Sequence, residues 1–232
     1  MSQTTAVPRR NWDSVYFAVT FGIRNLIFRP FGGIRVMHGE QVPMEGALIV
    51  AANHTSFGDP PVVACATGRR LNFMAKAELF KPPIFGSLIR RLGAFPVHRG
   101  EADTEAIRHT LDLLAEGEAV LVFPEGGRGD GKTLQPANKG VTLLARKSGA
   151  QVIPVGLCDT DKWLPYGAKL PKRQRVTASF GVPFSFADFE TKYGREAKDM
   201  FGKILMERIA ELMREGGREI VTAPATSSTP EG

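Results

Sequence analysis

The sequence predicts an α/β fold, a mostly parallel mixed sheet flanked by helices. Two observations carry the prediction. Apolar runs of strand length fall at residues 47–52, 71–75, 119–123, 152–157 and 176–180, and segments with helical spacing of apolar residues separate most of them. Strands alternating with helices wind into a sheet of mainly parallel strands. The 232 residues, 43% hydrophobic and 23% charged, suffice for one large core, and there is neither an internal repeat nor an interdomain linker.

Taken in order, residues 1–11 are polar and expected to be disordered. Residues 12–35 hold an aromatic-rich apolar stretch between Asp13 and Arg24, followed by Arg29 and Arg35. It is too short to span a bilayer. The charges recur at once and no small-residue cleavage site follows, which excludes a secretory signal. Two readings stand: an interfacial helical segment at a membrane, or an amphipathic helix packed on the protein's own core. On the first, Trp12, Phe17, Phe21 and Phe28 enter the acyl boundary, and Arg24 and Arg29 stay with the headgroups.

Residues 36–221 form the main α/β domain. The run at 47–52 leads through a polar turn into a helix over 60–66, whose first turn Pro60 and Pro61 suit. A strand at 71–75, a helix over 84–92 and a short strand at 93–100 that ends in the basic pair His98-Arg99 come next. Residues 101–116 carry Ala106, Ile107, Leu111 and Leu114 at a helical period, and Gly117 ends that helix. After the strand at 119–123 come a glycine-rich loop and a helix over 140–148. The strand at 152–157 contains Pro154, which assigns it to an edge or a bulge. Residues 195–214 form a covering helix with Met200, Ile204, Ile209 and Leu212 inward. Residues 222–232, rich in Ala, Pro, Ser and Thr, are expected to be a disordered tail.

In wound sheets ligands gather at the carboxyl ends of strands. His54, Arg99 and the stretch from Glu125 through Gly126 to Arg128 all fall just after strands, which places them in one site. Asp59 follows His54 after four residues, at or just before a helix N-cap. It is close enough to fix the imidazole tautomer and stabilise its protonated form. A surface histidine beside an unrelated capping aspartate has the same spacing. The net charge of +6 fits anionic partners, whether phosphate-bearing substrates, acidic lipids or nucleic acid. The two cysteines, Cys65 and Cys158, sit in apolar contexts as buried thiols, and no zinc-like spacing appears, so no metal is expected.

Two rival chemistries are present in the pattern. Residues 126–133 satisfy the phosphate-loop spacing G-x4-G-K-[ST] of an NTPase or kinase, although Leu134-Gln135-Pro136 leaves little room for the required helix and Asp130 sits near the cradle. A hydrolase lacks its G-x-S-x-G elbow, but Ser56 lies two residues from His54.

Four blocks in order resemble the glycerolipid acyltransferase superfamily, in particular its lysophosphatidic acid acyltransferases. They are Asn53-His54-Thr55-Ser56-Phe57-Gly58-Asp59, Gly93-Ala94-Phe95-Pro96-Val97-His98-Arg99, Phe123-Pro124-Glu125-Gly126-Gly127-Arg128 and Val152-Ile153-Pro154-Val155. The resemblance implies acyl transfer from a thioester, acyl-CoA or acyl carrier protein, to the free hydroxyl of a lysophospholipid. The implied acceptor is 1-acylglycerol 3-phosphate, giving phosphatidic acid. It implies a peripheral protein on the cytoplasmic face of an anionic membrane, with no nucleic-acid partner and no cofactor beyond the thioester, and it favours the interfacial reading of the N-terminal segment. The intact His54 and Asp59 argue against a membrane-binding protein with a dead site. Gly127 replaces the usual threonine, His98 a common aspartate, and Asn138-Lys139 only partly matches a basic step; these departures leave glycerol 3-phosphate and other lysolipids open as acceptors. On this reading His54 is the base and Asp59 orients it. Arg99 and Arg128 hold the acceptor phosphate. Glu125 holds an arginine or accepts a glycerol hydroxyl, and Gly126 lets backbone N–H groups approach the phosphate.

Overall fold

A computed structural model of the protein describes residues 12–97 and 104–223. The chain opens with α1 (Trp12–Gly22), which runs on without a break through a π-helical stretch (Ile23–Phe28) and a 3-10 turn (Arg29–Phe31). Then come β1 (Ile34–Met37), β2 (Leu48–Ala52), α2 (Asp59–Thr67), β3 (Asn72–Lys76), α3 (Pro83–Arg91) and β4 (Ala94–Val97). The middle holds α4 (Thr104–Ala115), β5 (Ala119–Val122), β6 (Thr133–Leu134), α5 (Lys139–Ser148) and β7 (Gln151–Cys158). The chain continues with α6 (Thr160–Trp163), β8 (Val176–Phe180), β9 (Phe184–Ser185), α7 (Phe186–Tyr193), α8 (Ala197–Glu215) and β10 (Val221–Thr222).

The main sheet has the order β1-β8-β7-β2-β5-β3-β4, with β9 also paired to β7. It is the mixed, mostly parallel sheet expected: β2 lies parallel to both β5 and β7, while β7 runs antiparallel to β8 and β9. Every residue of β2 is buried, as a parallel strand covered on both faces requires. Alternation along the strand sends Ile49 and Ala51 to the side filled by Leu114, Leu144, Phe201, Leu205 and Ile209. Leu48, Val50 and Ala52 face the other side, with Val62, Val63, Phe28 and Trp163. The central strand is therefore clamped from above and below, and its carboxyl end is a rigid platform.

The structure decides between the two readings of Pro154 and corrects two other expectations. Pro154 lies at a bulge and not at an edge: β7 lies between β8 and β2, Pro154 is in register with Ala51, and residues 181–183 stand opposite Ile153 and Pro154 between the β8 and β9 pairings. Its carbonyl accepts from Gly181 N–H, in the gap between β8 and β9. In an extended residue N and C=O face the same side, so the missing donor falls where the antiparallel neighbour is interrupted. The N-terminal segment is one continuous helix that packs through Tyr16 and Phe28, both buried. Phe28 stacks on Trp163, with ring centroids 4.5 Å apart, and so belongs to the core. The Trp12 side chain and residues 1–11 lie outside the described residues. At the other end Thr222 is paired, because β10 runs parallel to β6 and Ala223 N–H donates to the Leu134 carbonyl. Residues 224–232 lie outside the described residues.

Candidate active site

The site begins where β2 ends. Asn53, fully buried, donates through Nδ2 to the Leu157 carbonyl at 3.0 Å and accepts from Leu157 N–H through Oδ1 at 2.7 Å. Its amide thus continues the β2–β7 ladder after the backbone has left the sheet, and so fixes where the turn starts.

The backbone of His54 is held on both sides. Its N–H donates to Glu125 Oε1 at 3.0 Å, and its carbonyl accepts from Gly129 N–H at 2.8 Å. The ring lies flat on Phe123, with centroids 3.9 Å apart and an interplanar angle of 15°. Nδ1 is 2.8 Å from Asp59 Oδ2. Asp59 is fully buried, and the same oxygen accepts from Thr55 N–H at 2.7 Å and Ser56 N–H at 2.8 Å. Three donors converging on one oxygen require the proton on Nδ1. Nε2 therefore carries the lone pair, and it has no protein partner among the described residues.

Asp59 is the first residue of α2, one past the N-cap Gly58, and is followed by the two prolines. Gly58 makes a close approach: a Cβ there would sit 3.0 Å from the Trp163 ring, which would have to give by a few tenths of an ångström. Ser56 Oγ donates to the Leu164 carbonyl and accepts from Gly58 N–H. That hydroxyl staples the turn and is buried, so the hydrolase reading loses its nucleophile.

The second wall is the loop between β5 and β6. Both Glu125 oxygens are taken by backbone donors, His54 N–H on Oε1 and Gln135 N–H on Oε2. Burial pushes its carboxyl above the ordinary value, while these two backbone donors pull the other way. Glu125 is thus a strap across the loop and pairs with no arginine among the described residues. Gly126 sits at φ +72°, and its N–H donates to the Phe123 carbonyl at 3.0 Å. Its role is the left-handed turn; that N–H is spent inside the protein. Arg128 lies over the Phe57 ring at 3.8 Å and the Tyr166 ring at 5.1 Å. Arg99 lies outside the described residues.

The end of the same loop overturns the phosphate-loop rival. Lys132 and Thr133 N–H both donate to Asp130 Oδ1 at 2.8 Å, and Thr133 opens strand β6 where a phosphate loop needs a helix. Arg218 braces the loop from outside, donating to the Gly131 carbonyl and, bidentate, to Asp161 at 2.6 and 2.9 Å. Among the described residues no group of three His, Cys, Asp or Glu is placed to hold a metal.

The sequence reasoning passed over Asn53, Phe123, Phe57 and Tyr166. The first three lie inside or beside the quoted blocks, so their adjacency was a usable signal; Tyr166 comes from a loop with no pattern. Chemically, the arrangement offers an unprotonated imidazole nitrogen backed by a buried carboxylate, with no side-chain nucleophile bonded to it among the described residues.

Comparison with known proteins fits this chemistry. A family model described as Acyltransferase matches residues 33–158. The chain is similar to the 1-acyl-sn-glycerol-3-phosphate acyltransferase of Bacillus subtilis (strain 168), 29% identical over 184 residues that cover 78% of this chain and 88% of that protein. It is also similar to the enzyme of that name from Streptococcus pneumoniae, 29% identical over 77% of this chain and 66% of that protein. The crystal structure of the 1-acyl-sn-glycerophosphate (LPA) acyltransferase PlsC from Thermotoga maritima superposes with a TM-score of 0.72 at 26% identity, over 90% of this chain and 84% of that one.

Proposed function

Because the chain belongs to the acyltransferase family, we propose that it transfers an acyl group from an acyl thioester to the free hydroxyl of 1-acylglycerol 3-phosphate, giving phosphatidic acid. The observation that carries this reading is the bare Nε2 of an imidazole whose Nδ1 is fixed on Asp59 at 2.8 Å, with no protein nucleophile bonded to it among the described residues. The substrate supplies the nucleophile. Its hydroxyl gives a proton to Nε2 as the oxygen attacks the thioester carbonyl, since an alcohol does not ionise at neutral pH. Asp59 stabilises the imidazolium that forms. The tetrahedral intermediate then collapses, the C–S bond breaks, and the leaving thiolate takes the proton back from Nε2. Every atom is accounted for by the two substrates, so the step needs no further stoichiometric reactant. Acyl-CoA or acyl carrier protein is the donor, and Arg128, together with Arg99, meets the acceptor's phosphate.

The protein docks on the cytoplasmic face of an anionic membrane without crossing it. Supporting this, Phe21 is 70% and Leu26 78% exposed on the outer face of the N-terminal helix, near Arg24 and Arg29. The neighbouring α3 adds Ile84, 87% exposed, with Arg90 and Arg91 in its last turn. Apolar side chains rimmed by cations suit the headgroup boundary of acidic lipids. Among the described residues no helix is long and apolar enough to cross a membrane. The test is incubation of the purified protein with an acyl thioester and a panel of glycerol 3-phosphate, 1-acylglycerol 3-phosphate and phosphate-free monoacylglycerol, read by mass spectrometry. Phosphatidic acid should dominate; acylation of glycerol 3-phosphate in its place would overturn the acceptor assignment.

A further inference from the structure

Arg128 has no carboxylate partner among the described residues, yet its guanidinium is not loose. It lies over the Phe57 ring at 3.8 Å and the Tyr166 ring at 5.1 Å. Tyr166 is 89% exposed, so packing in the core does not account for an aromatic residue there. The backbone presents it rigidly. Ala168 N–H donates to the Pro165 carbonyl at 3.0 Å and Gly167 has φ +78°, which is a type II turn with Tyr166 at its second position.

Each of the three side chains comes from a segment pinned within two residues of it. Gly129 N–H, next to Arg128, bonds the His54 carbonyl at 2.8 Å. Ser56 Oγ, next to Phe57, bonds the carbonyl of Leu164, two residues before Tyr166, at 2.9 Å. The histidine turn, the Arg128 loop and the Tyr166 turn are therefore one hydrogen-bonded unit, with the three side chains meeting at its surface.

Aromatic contact of this kind fixes a guanidinium without using up its hydrogen bonds, and Arg128 makes no hydrogen bond among the described residues, so its N–H donors stay available. Those are the donors a phosphate takes. We infer that Phe57 and Tyr166 are positioning residues that hold Arg128 edge-on to the acceptor's phosphate. The inference rests on the phosphate role of Arg128 proposed above. It adds that acceptor recognition depends on a tyrosine far from His54 in sequence that never takes part in the chemistry.

The test is steady-state kinetics with a soluble short-chain 1-acylglycerol 3-phosphate. Tyr166→Ala should raise acceptor KM about two- to fivefold, the size of one exposed cation–π contact, while kcat changes much less. Tyr166→Phe keeps the ring and should restore the wild-type KM. In the Arg128→Ala background, Tyr166→Ala should add nothing further. If Arg128→Ala raises KM but Tyr166→Ala multiplies it again, or if Tyr166→Phe is as impaired as Tyr166→Ala, the positioning role is wrong and the phosphate role stands. If Arg128→Ala leaves KM for the phosphate acceptor unchanged, both are wrong. Loss of vesicle binding by Tyr166→Ala with unchanged kinetics on the soluble acceptor would make the ring a membrane contact and overturn the inference.

Discussion

Replacing Asp59 by asparagine separates the two tasks of a carboxylate behind a histidine. In this turn Thr55 N–H, Ser56 N–H and Nδ1 of His54 all converge on Oδ2. Two of those donors are backbone and cannot turn away, so the amide oxygen must take that position and the NH2 group must lie where Oδ1 was. The imidazole tautomer is therefore kept in Asp59→Asn, and what is lost is the charge opposite the imidazolium. With charge centres about 4 Å apart and an effective dielectric near 20, that interaction is about 4 kcal/mol, or roughly three decades in rate. The NH2 group takes the place of the buried Oδ1, which has no hydrogen-bond partner among the described residues, and a buried amide left unpaired there costs about 1–3 kcal/mol of stability. The assay is kcat at saturating acceptor, with a thermal melt to establish folding. Asp59→Ala should lose more stability than Asp59→Asn, because it strands two backbone donors. A folded Asp59→Asn protein with kcat within tenfold of wild type would refute the reasoning.

Other parts of the structure lead to three further outcomes. The triple variant Phe21→Ser, Leu26→Ser, Ile84→Ser should lose about 1 kcal/mol of membrane affinity per residue at partial insertion, or roughly 10²-fold in partition onto phosphatidylglycerol vesicles; undiminished sedimentation with vesicles would mean that this surface faces water. The Asp161 carboxyl sits below its ordinary value of 3.8: burial raises it, but the hydrogen bonds and charge of Arg218 outweigh that. Its stabilising contribution is then complete above the unfolded value and is lost as pH falls through the lower folded one, so the melting-temperature gap between wild type and Asp161→Asn should be constant near neutrality and close on acidification below about pH 4; a gap that widens in acid would reverse the sign. Asn53→Ala should cost about 2 kcal/mol or more in chemical denaturation by stranding the buried N–H and C=O of Leu157, and a variant as stable as wild type would show that the ladder extension is dispensable.

How legible each residue was in the sequence depends on how far away its partner lies. The strand–turn–helix around His54 was legible because a continuous apolar run and a Pro-Pro step define it locally, and Asp59 is only five residues from His54. Glu125 and Gly126 were picked out by the sequence, but the backbone bonds they make were not. Their partners are main-chain groups of His54, Gln135 and Phe123, and a backbone N–H has no signature in sequence. Pro154 was legible as an edge or a bulge because its missing donor must face away from a continuous ladder, and only the fold decides for the bulge at the break between β8 and β9. Phe28 misled because the π-helical stretch shifts the register of the helix and turns that ring onto Trp163. Tyr166 was invisible: its loop has no periodicity, and only folding brings it to Arg128.

The central claim is that His54 is the base for a substrate hydroxyl. The most direct measurement is phosphatidic acid formed from an acyl thioester and 1-acylglycerol 3-phosphate by purified wild-type and His54→Ala proteins, quantified by mass spectrometry alongside their thermal melts. General-base catalysis contributes about 10²- to 10⁴-fold, so the variant should melt as a folded protein and lose at least two decades of turnover. A folded His54→Ala protein that makes phosphatidic acid within tenfold of the wild-type rate would contradict that claim.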